Sequence, residues 1–193
     1  MTSRRYRLQP SNTFAAVIVH NDDSKLLSRL GHDHVVRAHD FSFTVAIDTE
    51  QPESLQFALD FPVDQLVVDR ADDRSRAGLD GPVSDRDRKA TRDNMLAKSQ
   101  LNAKRFATLG FRVDGAHIDG DGDWILKSSL HVQQGRFGFD FPVAVSFSPQ
   151  LQVNGRVELN HKDLGLTPYK APMGTLRNRE ELTFVVEINA APL

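Results

Sequence analysis

Apolar and polar residues alternate with a period of two along most of this chain. Phe41, Phe43, Val45 and Ile47 alternate with Ser42, Thr44, Ala46 and Asp48. Leu55, Phe57, Leu59 and Phe61 do the same against Gln56, Ala58 and Asp60. The longest row is Phe137, Phe139, Phe141, Val143, Val145 and Phe147, and shorter rows follow over 151–159 and 182–188. Successive side chains on a strand point to opposite faces, so each row encodes one buried face and one wet face. Asp119-Gly120-Asp121-Gly122 is a hairpin turn by composition, and weaker breaks fall near 49–52, 133–135 and 148–149. The pattern predicts about eight or nine antiparallel strands, in a closed barrel or a two-layer sandwich.

One segment departs from the alternation. From Ser84 to about Lys98 the chain is polar and free of Gly and Pro. Ser84 followed three residues later by Asp87 marks a helix start. Its apolar residues, Ala90, Met95, Leu96 and Ala97, form a thin stripe, which suits a helix lying over a barrel end. No repeat or linker interrupts the pattern, so residues 1–193 are expected to form a single domain.

Charge and composition narrow the function classes. The formal net charge of −2 gives no reason to expect nucleic acid or an anionic membrane as partner. The stretch from Asp69 to Asp93 looks arginine-rich, yet its seven basic residues meet seven acidic ones and no aromatic is interleaved for base stacking. It is expected to be a solvated loop and helix face. The absence of cysteine excludes disulfides and thiol chemistry. The N-terminal segment lacks the apolar run of a signal peptide, and no run approaches the ~20 residues of a membrane span. A soluble cytoplasmic protein is the expectation, or a periplasmic one if the chain is a mature form.

Local catalytic signatures are missing: there is no nucleophile elbow, phosphate loop, His-Glu-x-x-His or dinucleotide glycine pattern. The carboxylates sit at turns and outward strand positions, so no catalytic residue and no enzyme activity are expected. Asp119, Asp121 and Asp123 mimic the start of a calcium loop. Trp124 and Leu130 stand where its glycine and bidentate glutamate belong, so a hairpin is the better reading. Gly31-His32-Asp33-His34 is the most unusual local feature. His32 and His34 share a face of an extended segment, and with a third group from His20, His39, His117, His131 or His161 they are the candidate metal ligands. Periodicity leaves their face open, since a bulge would reverse it.

Twelve phenylalanines against two tyrosines and one tryptophan mean aromatic bulk with few polar handles. An eight-stranded barrel holds either packed side chains or one small ligand, and the sequence pattern is compatible with both.

The order of motifs resembles the YceI-like proteins over nearly the whole chain. Lys25-Leu26-Leu27-Ser28-Arg29-Leu30 leads into Gly31-His32-Asp33-His34-Val35-Val36-Arg37-Ala38, similar to a Gly-His-Asp-His variant of the family's second strand. Leu66-Val67-Val68-Asp69, the polar helix ending at Met95-Leu96 and a strand beginning near Phe106 follow in order. Leu130-His131-Val132-Gln133-Gln134-Gly135, Asp163-Leu164-Gly165-Leu166 and Met173-Gly174-Thr175-Leu176 complete the match. The resemblance implies an all-β, eight-stranded antiparallel lipocalin-like barrel with one helix, about 84–98, near a barrel end. It also implies a polyisoprenoid or fatty-acid-like ligand in the interior, no cofactor, and a homodimer. The ligand-binding residues expected on the inward rows are Phe41, Phe43, Phe57, Phe61, Phe111, Leu126, Phe139, Phe141 and Phe184. One departure is Arg136-Phe137 after the turn, where bulk is expected to narrow the lumen. The alternative to lipid carriage is a metal-binding or stress-associated interaction protein that uses the Gly31–His34 segment.

Overall fold

The computed structural model describes residues 3–22, 24, 31–171 and 176–193. Nearly every alternating row becomes a strand. The elements are β1 (Ser3–Leu8), β2 (Thr13–Asn21), β3 (His34–Arg37), β4 (Phe43–Asp48), β5 (Phe57–Pro62), β6 (Val67–Val68), α1 (Ala71–Arg76) and α2 (Asp85–Leu96). They are followed by β7 (Thr108–Ile118), β8 (Trp124–Val132), β9 (Gly135–Ser146), β10 (Leu151–Asn160) and β11 (Asn178–Ala190).

Nine strands form one curled antiparallel sheet in the order β5-β7-β8-β9-β10-β11-β2-β3-β6. The resulting lipocalin-like barrel is incompletely closed: its edge strands β5 and β6 are joined by a 3-10 turn, Val63–Gln65, without a ladder between them. The resemblance implied eight strands and the alternation about eight or nine; this sheet has nine, of which β6 is two residues long and too short to show as an alternating row. β1 and β4 form a separate two-stranded ribbon. That ribbon seals one end of the barrel. Tyr6, Leu8, Val45 and Ile47 join Val113, Trp124, Val143 and Leu151 in one buried cluster.

The helix predicted over 84–98 is α2. Its N-terminus is capped as expected, with Ser84 Oγ accepting from the Asp87 N–H at 3.1 Å and donating to Asp87 Oδ2 at 2.7 Å. α2 packs on β6 and buries none of its residues fully. No helix among the described residues is long and apolar enough to cross a membrane.

A second small core lies on the outside of the sheet. Phe14, Ala16 and Val35 are buried there against Ala77, Leu79 and Val185, under α1 and the turn that follows it. The continuous apolar run from Phe14 to Val19 is therefore a strand covered on both faces. α1 overturns the expectation of a fully solvated face over 69–93. Asp69, Asp73 and Arg74 are buried because each charge has a partner: Asp73 with Arg37 at 2.9 Å and Asp69 with Arg74 at 3.0 Å. The same two aspartates depart from the expected placement of carboxylates at turns and outward positions.

Candidate ligand cavity and the histidine pair

Above the packed end, the barrel encloses an apolar cavity of about 560 Å³ that opens beneath α2. Volumes of ~300–1,000 Å³ are usual for small-molecule sites. Eight of the nine expected positions border it: Phe41, Phe43, Phe57, Phe61, Phe111, Phe139, Phe141 and Phe184. Leu126 does not. It pairs with Ala116 beyond a bulge in β7 and packs into the core cluster of the sealed end.

The rings form a connected wall. Phe43 meets Phe57 at 5.5 Å between centroids, Phe57 meets Phe111 at 5.9 Å, and Phe111 meets Phe139 at 6.5 Å. Phe139 then meets Phe184 at 6.4 Å, so the aromatic surface runs across β4, β5, β7, β9 and β11. Tilted contacts at such spacings are favourable for aromatic pairs. Phe137 does not narrow the lumen. Its ring lies over Gly135 and Gly165, where a Cβ on either glycine would approach ring carbons to 2.3 Å and 2.9 Å.

Sequence reasoning missed the cavity's polar mouth. α2 contributes Asp87, Ala90, Thr91, Asn94 and Met95, a helical stripe of which only Ala90 and Met95 carried an apolar signal. The open question of the histidine face is resolved: His32 and His34 both border the cavity, with ring centroids 4.7 Å apart. The group beside them is Asp69 rather than a third histidine, and ligand-capable atoms of the three lie within 4.8 Å of one another. Of the expected third partners, His20 is held by Asp33 at 2.8 Å and Thr183 at 2.9 Å. His161 borders the cavity and is held by the Glu180 carbonyl at 3.0 Å.

Asp69 organises this wall. It sits at the end of β6 with a positive φ of 50°, and its N–H donates to the Val35 carbonyl at 2.9 Å. Its Oδ1 accepts from Val35 N–H at 2.9 Å and from Arg74 at 3.0 Å, and its Oδ2 pairs with His34 Nδ1 at 2.6 Å. Burial alone would raise the Asp69 pKa. The hydrogen bonds from His34, Val35 and Arg74, with the His34 charge, outweigh it and hold the carboxyl below its ordinary range. An ionised carboxylate only accepts, so His34 carries its proton on Nδ1. Burial, then the neighbouring His34 charge, pushes the His32 pKa down, with Arg74 adding to them against the pull of Asp69 and Asp87. His32 Nε2 is buried and has no hydrogen-bond partner.

This architecture defines a class, the lipocalin-like barrel with an apolar interior. Several solved structures share the fold. BcnA from Burkholderia cenocepacia matches with a TM-score of 0.65 at 12% identity, over 93% of this chain and 96% of that one. A polyisoprenoid-binding domain from Saccharophagus degradans, implicated in plant cell wall breakdown, matches at 0.58 and 10% identity, over 99% and 100%. The Campylobacter jejuni YceI protein matches at 0.53 and 7% identity, over 76% and 78%. No family model matches the sequence, and no curated protein does. At these identities the likeness is one of fold, and that fold is the one the motif order implied. Two of those motifs, 25–30 and 173–175, lie outside the described residues.

Proposed function

We propose that this protein reversibly binds a lipophilic long-chain molecule in its barrel, as a carrier or sequestering protein, with no bond made or broken. The observation that carries this reading is the phenylalanine-walled cavity of about 560 Å³, left open rather than filled by side chains. Burying a chain there gains on the order of 0.8 kcal/mol per methylene, so a modest tail binds without a charged anchor. The eight bordering phenylalanines are the proposed contact residues. The S. degradans domain, which binds polyisoprenoid, supports an isoprenoid-like chain over a fatty-acid-like one.

Native mass spectrometry and solvent extraction of protein purified from its own host test the proposal. A stoichiometric extractable lipid is the expected result. Failure to extract any lipid, together with failure of the delipidated protein to take up a farnesol or fatty-alcohol probe, would overturn it. The homodimer implied by the motif resemblance is a separate matter, read from sedimentation at two protein concentrations.

A further inference from the structure

The wall formed by His32, His34 and Asp69 is built differently from the rest of the cavity. Because Asp69 Oδ2 accepts from His34 Nδ1–H, Nε2 is the His34 ring nitrogen left for a ligand. His32, two residues before His34, offers an unpartnered ring nitrogen from the same wall, with the ring centroids 4.7 Å apart. Two adjacent imidazoles, one backed by a buried carboxylate, form the carboxylate–histidine arrangement that orients ligands to a metal. Asp69 itself is spoken for: both its oxygens are engaged and its side chain is fully buried.

We infer that His32 and His34 hold a divalent transition-metal ion of the zinc class in the cavity wall, with Asp69 as the positioning residue behind His34. Imidazole nitrogen suits Zn²⁺, Co²⁺, Ni²⁺ and Cu²⁺ rather than Mg²⁺ or Ca²⁺. Asp87, on the α2 side, borders the same cavity. The ion's remaining positions face the cavity, open to water. If the lipid reading holds, an oxygen of an amphiphile's head group can occupy one of them. That last clause alone rests on the proposed function; the metal site does not.

The experiment uses the full chain, delipidated and dialysed against a chelator, titrated with Co²⁺ alone and then Zn²⁺ alone. One equivalent of Co²⁺, with visible absorption bands of a low-coordinate nitrogen-ligated ion that Zn²⁺ bleaches, is expected. His32→Ala and His34→Asn should each abolish the bands; the asparagine amide can still reach Asp69, which guards against a folding defect. Asp69→Asn should weaken binding about 10–100-fold while leaving the bands' shape, as for an orienting partner. His39→Ala, outside the cavity wall, should change nothing. Absence of stoichiometric binding, or binding that survives both histidine variants in folded protein, overturns the inference. Lipid extraction is a separate readout, so failure of one proposal is distinguishable from failure of the other.

Discussion

His34 donates from Nδ1 to Asp69 Oδ2 at 2.6 Å, joining residues that lie 35 apart in sequence. The contact ties β3 to the end of β6, the last strand of the curled sheet. Arg74, from α1, closes the arrangement: it donates to Asp69 Oδ1 at 3.0 Å and to the Asp33 carbonyl at 2.7 Å. It also donates to the carbonyls of Asp80 at 2.8 Å and Gly81 at 2.9 Å. One buried guanidinium thus fixes the histidine segment, the sheet edge and the turn beyond α1 together.

Arg74→Ala should therefore cost far more than a surface ion pair. The Arg74 and Asp69 side chains are 4% and 0% exposed, so the substitution strands a buried carboxylate and frees three carbonyls. Breaking a buried pair by removing one partner typically costs about 3–5 kcal/mol. Urea unfolding of the single variants and of the double variant with Asp69→Asn is the measurement. The double variant should lose much less than the sum of the two, because both singles remove one shared interaction.

Acid should unfold the protein through the same group. Asp69 has a folded pKa below its ordinary value of 3.8, the depressed-carboxylate case. Its contribution is fully present above 3.8 and fades as pH falls from there through the lower folded pKa. The unfolded chain takes up the proton first, and the equilibrium shifts toward it. Stability measured in urea between pH 6 and pH 2 should fall steeply at the acid end for wild type. Asp69→Asn should start less stable and show a shallower acid limb; an unchanged limb would assign acid lability to other carboxylates.

The barrel was legible in the sequence because period-two alternation depends only on which face of a strand is covered. The inward rows containing Phe57, Phe139 and Phe184 carried that information locally. Leu126 was misplaced for a related reason: alternation reports the face, not the height along the barrel, and Leu126 lies at the sealed end beside Ala116. The buried charges escaped notice because an Asp or Arg in a polar stretch looks solvated until its partner is known. Arg37 and Asp73 are 36 residues apart, and nothing local pairs them. The run from Phe14 to Val19 is buried on two faces because α1 covers its outer side, and that cover comes from a polar stretch with no apolar signal of its own.

Gly165 joins backbone conformation to the packing of Phe137. It has φ of 66° at the end of the 3-10 turn His161–Leu164, and an added Cβ would lie 2.9 Å from Phe137 Cζ. Left-handed backbone costs a residue with a Cβ about 1–2 kcal/mol, before any clash is counted. Gly165→Ala should destabilise by at least that much in thermal or urea unfolding. Combining it with Phe137→Leu should recover the steric part only, leaving the conformational part in place.

Access to the cavity should be controlled at α2. The helix has no fully buried residue, yet Ala90, Asn94 and Met95 border the opening. Ala90 is exposed, so a larger side chain there displaces no core packing and instead projects over the mouth. Ala90→Trp should leave the unfolding midpoint within about 0.5 kcal/mol of wild type, as expected for a surface change. It should slow both uptake and release of a fluorescent long-chain probe, with a smaller effect on equilibrium affinity because the phenylalanine wall is untouched. Stopped-flow fluorescence separates these quantities. Unchanged rates in both directions would show that ligands enter elsewhere, with the gap between the edge strands β5 and β6 the next route to block.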